Sequence, residues 1–75
     1  MEFQIKLNSM EDAVKWVNRL EHYDCQADAW MGSLVIDARS LLGLVGFGIG
    51  RVIRVVMYSD LSESLHRELR EFMTA

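Results

Sequence analysis

The sequence predicts an α+β domain in which helices pack against one face of an antiparallel or mixed sheet, with elements in the order β-α-β-β-α-β-α. Three observations lead there. The chain opens on a strict apolar-polar alternation, two serine-capped amphipathic stretches show helical spacing, and a β-branched run, Val52 to Met57, stands between the second half's glycines and the last helix.

At the start, Phe3, Ile5 and Leu7 alternate with Glu2, Gln4, Lys6 and Asn8, the period of a strand with one buried face. "SMED" follows. Ser9 can cap a helix through its hydroxyl, Asp12 can answer toward the cap backbone, and Glu11 and Asp12 place negative charge at the positive helix end. Ala13, Val14, Val17 and Leu20 form the expected buried stripe, with Trp16 covering the core edge and the helix ending near His22.

Beyond "HYDCQ", Cys25, Ala27 and Ala29 alternate with Gln26, Asp28 and Trp30, which predicts a strand. Met31-Gly32-Ser33 reads as a turn, and Leu34 to Ala38 as the returning strand. Ser40 can cap a short helix through Leu41, Leu42, Leu44 and Val45, which Gly43 and Gly46 weaken. Gly46, Gly48 and Gly50 are read as the helix exit and a close-packed bend. Val52 to Met57 is the next strand, with Arg54 turned to water. Ser59-Asp60-Leu61-Ser62 marks a turn and cap, and Leu61, Leu65, Leu69, Phe72 and Met73 form the stripe of the final helix, leaving Arg67, Arg70 and Glu71 outside.

Composition bounds function. A chain of 75 residues holds one modest core, so most of its apolar residues serve folding first. Its formal charge of -3 and scattered bases argue against nucleic acid as a partner. The longest apolar run, Leu41 to Ile49, is too short for a membrane span. The opening "MEFQIKL" has neither the basic region nor the apolar region of an export signal, and the one cysteine, Cys25, allows no internal disulfide, so a cytoplasmic setting is expected. Asp24, Asp28, Asp37 and Asp60 lack metal-ligand spacing and read as solvated surface; no cofactor is expected. Trp16 and Trp30 are read as core-edge packing, Cys25 as buried, and His22 and His66 as surface or boundary histidines.

Four of the five glycines fall between Gly43 and Gly50. A phosphate-cradling loop needs a strand before its glycines and a helix opening after them. "GFGIG" follows a helix and precedes a strand, so these glycines are read as shaping the chain rather than holding a nucleotide.

The element order, with "ARSLLGLVGFGIG" at its centre, resembles HPr, the small phosphocarrier of the bacterial sugar phosphotransferase system. The resemblance spans nearly the whole chain as one domain, residues 1-75, and is sharpest from Asp37 to Gly48. There a basic residue, a serine, two aliphatics, a glycine and an aliphatic are matched by Arg39, Ser40, Leu41, Leu42, Gly43 and Leu44. It implies an open-faced β-sandwich, a four-stranded antiparallel sheet covered on one face by helices.

The same alignment sets Ser9 at the family's phosphoacceptor histidine, with Met10, Glu11 and Asp12 in place of alanine, arginine and proline, and Ala13 matching the last alanine. Phosphohistidine needs an imidazole and positive surroundings, and Glu11 with Asp12 would repel a phosphoryl group. Ser40 matches the serine that an ATP-dependent HPr kinase phosphorylates in one branch of the family, whose product docks on a transcriptional regulator. The histidine-lacking catabolite-repression HPr-like proteins keep that serine.

The resemblance therefore implies a non-catalytic regulatory or protein-interaction domain, not an enzyme, with Ser40 as a regulatory phosphorylation site or simply a helix cap. Leu41, Leu42 and Val45 form a partner-binding patch rimmed by Arg39 and Arg51. Two rival readings stand beside it. One is a phosphocarrier that uses an atypical acceptor, His22 or His66, with Enzyme I as donor. The other is a self-associating structural protein that dimerises through exposed leucines and tryptophans.

Overall fold

The computed structural model describes residues 1-59 and 61-74. Strand β1 spans Glu2–Lys6, helix α1 Met10–Glu21, β2 Ala27–Met31, β3 Leu34–Asp37, α2 Leu41–Phe47, β4 Val52–Met57 and α3 Glu63–Leu69, followed by a 3-10 turn at Arg70–Phe72. The four strands form one antiparallel sheet in the order β1-β4-β2-β3, so β4, the last strand in sequence, lies inside the sheet between β2 and the edge strand β1.

Each helix starts where its serine cap was expected. Ser9, Ser40 and Ser62 accept from the backbone N–H groups of Asp12, Gly43 and Leu65 at 3.2, 3.2 and 3.1 Å. Asp12 answers one residue earlier than expected: its carboxylate accepts from the Asn8 N–H at 3.0 Å. The β2-β3 connection is a two-residue hairpin loop, since Met31 pairs with Leu34. Gly32 at φ +63 with no positive φ at Ser33 supplies the glycine-first geometry that matches strand twist.

The core lies between the helices and the inward rows of the sheet, with Ile5, Leu20, Leu44, Ile53, Val55 and Leu69 fully enclosed. Trp16 is its largest buried side chain, and this corrects the helix stripe: Trp16 is at 0% exposure whereas Val14 is at 37%. At about 100° per residue, Ala13, Trp16, Val17 and Leu20 share a narrow arc and Val14 falls beside it. Trp16 meets Phe72 edge-on at 5.8 Å and Phe3 at 6.5 Å. Trp30 is also displaced from its expected place, since it lies on the opposite, uncovered face of the sheet under the Arg54 guanidinium at 5.0 Å.

Boundaries shifted in three places. Cys25 is buried but precedes β2, which starts at Ala27, and Ala38 has left β3 although its N–H still donates to the Ala27 carbonyl at 2.9 Å. The final stripe is not one helix: α3 stops at Leu69, the 3-10 turn buries Phe72, and Met73 bridges to Ile5, covering the outer edge of β1. The turn expected through Asp60 involves a position outside the described residues.

Candidate interaction face on helices one and two

Ser40 is held from three sides. Its N–H donates to the Asp37 carbonyl at 2.9 Å, its carbonyl accepts from the Leu44 N–H at 3.0 Å, and its hydroxyl caps Gly43. Two residues earlier, the buried Ala38 carbonyl accepts the Trp16 indole N–H at 2.8 Å. The tryptophan of α1 thus fixes the loop that delivers Ser40, a long-range link that local sequence does not announce.

Around the hydroxyl lies a shallow depression of about 230 Å³ lined by Glu21, Asp37, Arg39 and Ser40. Asp37 accepts from the Arg39 N–H at 2.8 Å and lies 3.6 Å from the Arg39 Nε. Its charges are therefore mixed, with one guanidinium beside Asp37 and the Glu21 carboxylate also on the lining.

Helix α2 mostly faces outward. Leu44 is the side chain it buries completely, while Leu42 is 88% exposed, Phe47 56% and Leu41 37%. Val45 is half-buried against the core instead of joining this patch. Phe47 takes its place; the sequence hint was its position between Gly46 and Gly48, which have no side chains to cover a ring.

The glycines permit the close seating of α2. A side chain on Gly43 would begin 2.6 Å from Ile36 Cδ1, and one on Gly48 would begin 3.0 Å from Ile53 Cδ1. Gly50 turns the chain at φ +78, and its N–H donates to the Leu7 carbonyl at 2.7 Å. That bond ties the exit of α2 to the start of α1, and Glu21 meets Ser40 at the other end, so the two helices run antiparallel. Arg39 and Arg51 then bracket α2 at opposite ends, with Arg51 donating to the Phe47 carbonyl at 3.3 Å.

On α1, Met10 is 61% exposed and, with Val14, lines an open apolar groove beside Ser9 and Glu11. Their four-residue spacing puts them on one side of α1, but periodicity alone assigns Val14 to the buried stripe, so this groove emerges only once Trp16 takes that place in the core. His22 is exposed at the end of α1, and His66 is half-buried on α3. Among the described residues no three His, Cys, Asp or Glu side chains gather to hold a metal, and no helix is long and apolar enough to cross a membrane.

No protein-family model matches the sequence, and no curated protein matches it. Solved structures do. The crystal structure of HPr-C-His from Thermoanaerobacter tengcongensis aligns with 95% of this chain and 85% of its own at a TM-score of 0.67 and 18% identity. The crystal structure of a phosphocarrier protein HPr from Bacillus anthracis str. Ames aligns with 99% of this chain and 96% of its own at a TM-score of 0.70 and 12% identity. The chain has the HPr-like fold. Within the HPr-like fold, the exposed side chains of α1 and α2 lie on the helical layer, and the other face of the sheet is left open.

Proposed function

We propose that this chain is a single HPr-like domain acting as a non-catalytic protein-interaction module, with a docking face on α2 and the start of α1 and a regulatory phosphorylation site at Ser40. The observation that carries the docking face is the outward orientation of α2: Leu41, Leu42 and Phe47 face solvent between Arg39 and Arg51. Exposed apolar groups ringed by charge suit recognition of another protein.

Phosphate on Ser40 would keep an oxygen near the Gly43 N–H while adding charge between Glu21 and Asp37. Arg39, now beside Asp37, is the cation placed to follow it. The modification therefore changes both charge and side-chain arrangement at one end of the apolar patch, which suits a docking switch.

Phosphoryl transfer is less well supported. At the start of α1 the Asp12 N–H is taken by Ser9 and the Asn8 N–H by the Asp12 carboxylate, with Glu11 alongside. Those groups compete with an incoming phosphate for the amides it would use.

The test is incubation with ATP and an HPr kinase, followed by intact mass and fragmentation. One phosphate on Ser40 is expected. No phosphate, beside a fully modified control HPr, removes the kinase switch for that enzyme. A parallel incubation with Enzyme I and phosphoenolpyruvate is expected to leave no acid-labile phosphate on His22 or His66; its appearance there would restore the carrier reading.

A further inference from the structure

The face of the sheet away from the helices has an unusual outward set. Strand β1 is polar there, with Glu2, Gln4 and Lys6. The next strands are not: β4 presents Val52 and Val56 around Arg54, β2 presents Trp30, and β3 presents Val35. Val52 is 54% exposed and Val35 39%. An antiparallel sheet facing water on one side ordinarily alternates to polar residues there, so two outward valines on a central strand need another explanation.

Charge along this face runs from one strand end to the other. Glu2, Val56, Asp28 and Asp37 form one cross-strand row, which makes that end acidic. At the opposite end Lys6 pairs with Val52, and an Arg51 guanidinium nitrogen lies 4.0 Å from where a side chain on Gly32 would begin. Gln4, Arg54, Trp30 and Val35 form the row between, with Arg54 bonded to Glu2 at 2.9 Å.

We propose that this open face is the self-association surface of the protein, and that its occupant is a second copy stacked about a two-fold axis running across the strands. The two ends of the face are complementary under that operation: Lys6 comes over the second copy's Glu2 and Val52 over its Val56. At the centre Trp30 and Val35 meet their own counterparts, and so does Arg54, whose charge is offset within each copy by its bond to Glu2. A two-fold interface makes each such contact twice. An anionic partner, whether nucleic acid or lipid surface, would instead meet the row of Glu2, Asp28 and Asp37. Four short strands offer a footprint of roughly 19 by 17 Å, about 320 Å² per copy and below the size of stable specific interfaces, so association is weak and reversible.

Sedimentation velocity from about 1 to about 300 µM reads this directly, the range being chosen for a small interface. Mass is expected to rise from 8.6 kDa toward twice that value. Raising salt from about 0.05 to about 0.5 M should weaken association several-fold, because the end rows pair by charge. Val52→Glu and Lys6→Glu, both at exposed positions and each checked for unchanged circular dichroism, should weaken it about ten-fold or more through like-charge contact. Leu42→Ser, on the helical docking face, should leave it within about two-fold. A monomer at every concentration overturns the proposal. So does a dimer that survives both sheet variants, or one lost only in Leu42→Ser, which would place self-association on the helices.

Discussion

A side chain on Gly48 would begin 3.0 Å from Ile53 Cδ1 and 3.2 Å from Met31 Sδ, whereas on Gly46 it would meet nothing within 4 Å. These two glycines, two positions apart, should therefore answer alanine with opposite signs. Gly46 lies inside α2 and faces solvent, so Gly46→Ala should stabilise the protein by about 0.5-1 kcal/mol through helix propensity and a less mobile unfolded chain. Gly48→Ala overpacks the seat of α2 on β2 and β4 and should cost about 1-3 kcal/mol. Urea midpoints of the two variants check both signs; equal shifts would mean that neither contact governs the loop. The sequence showed a glycine cluster and its structural use, but not which glycine touches what, because that depends on where α2 lands on strands from elsewhere in the chain.

Helix α1 is held to the chain's last turns by three groups that only folding brings together. Arg19 donates to the Glu68 carbonyl at 2.8 Å and pairs with Glu71, and its guanidinium lies 5.0 Å over the Phe72 ring. Phe72, 3% exposed, fills the space beside Trp16. Phe72→Ala should cost about 3-5 kcal/mol from lost burial and the cavity left behind. For a chain of this size, whose total stability is on the order of 4-11 kcal/mol, that is a large share. Thermal unfolding should drop by well over about 10 °C. A drop of only a few degrees would show that the 3-10 turn is peripheral to the core. Sequence periodicity placed Phe72 on an apolar stripe correctly, yet it also placed Met73 there. Beyond Leu69 the backbone tightens and then extends, so Met73 pairs with Ile5 at the β1 edge instead.

At the scale of the whole molecule, protons are held more tightly by the folded chain than by the unfolded one at three positions. Burial pushes the Cys25 thiol up, with Arg39 opposing and Asp24 assisting. Tyr23 is raised by its hydrogen bond to Glu68, and Tyr58 by its bond to Asp28, since each phenol donates to a carboxylate only while protonated. Above the ordinary thiol and phenol values the unfolded chain has fewer protons bound than the folded one, so stability falls as pH rises. The contribution is complete below those ordinary values and is lost as pH climbs through the raised ones. Urea midpoints at about pH 7, about pH 9 and about pH 10.5 should decline in that order. Cys25→Ala should flatten the first part of the decline. A midpoint that rises with pH would contradict the assignment.

What the sequence determined by itself was local. Three serine caps, the period-two alternation of β1, the hairpin glycine and the β-branched run of β4 each act through neighbouring backbone, so their residue types carry the signal. Their order was enough to point to the fold, and with it to the outward-facing α2 beside Ser40. Tertiary structure alone decided what lies between elements. It put Trp16 rather than Val14 in the core, where its indole secures the Ala38 carbonyl, half-buried Val45 and exposed Phe47. It also put Trp30 on the open face under Arg54 and gathered Glu2, Asp28 and Asp37 into one row from three strands. These outcomes depend on strand order and helix seating, which arise from packing between segments far apart in the chain, such as Glu2 against Val56 and Ile5 against Met73. No local pattern encodes such a pairing, because its free energy belongs to both segments at once.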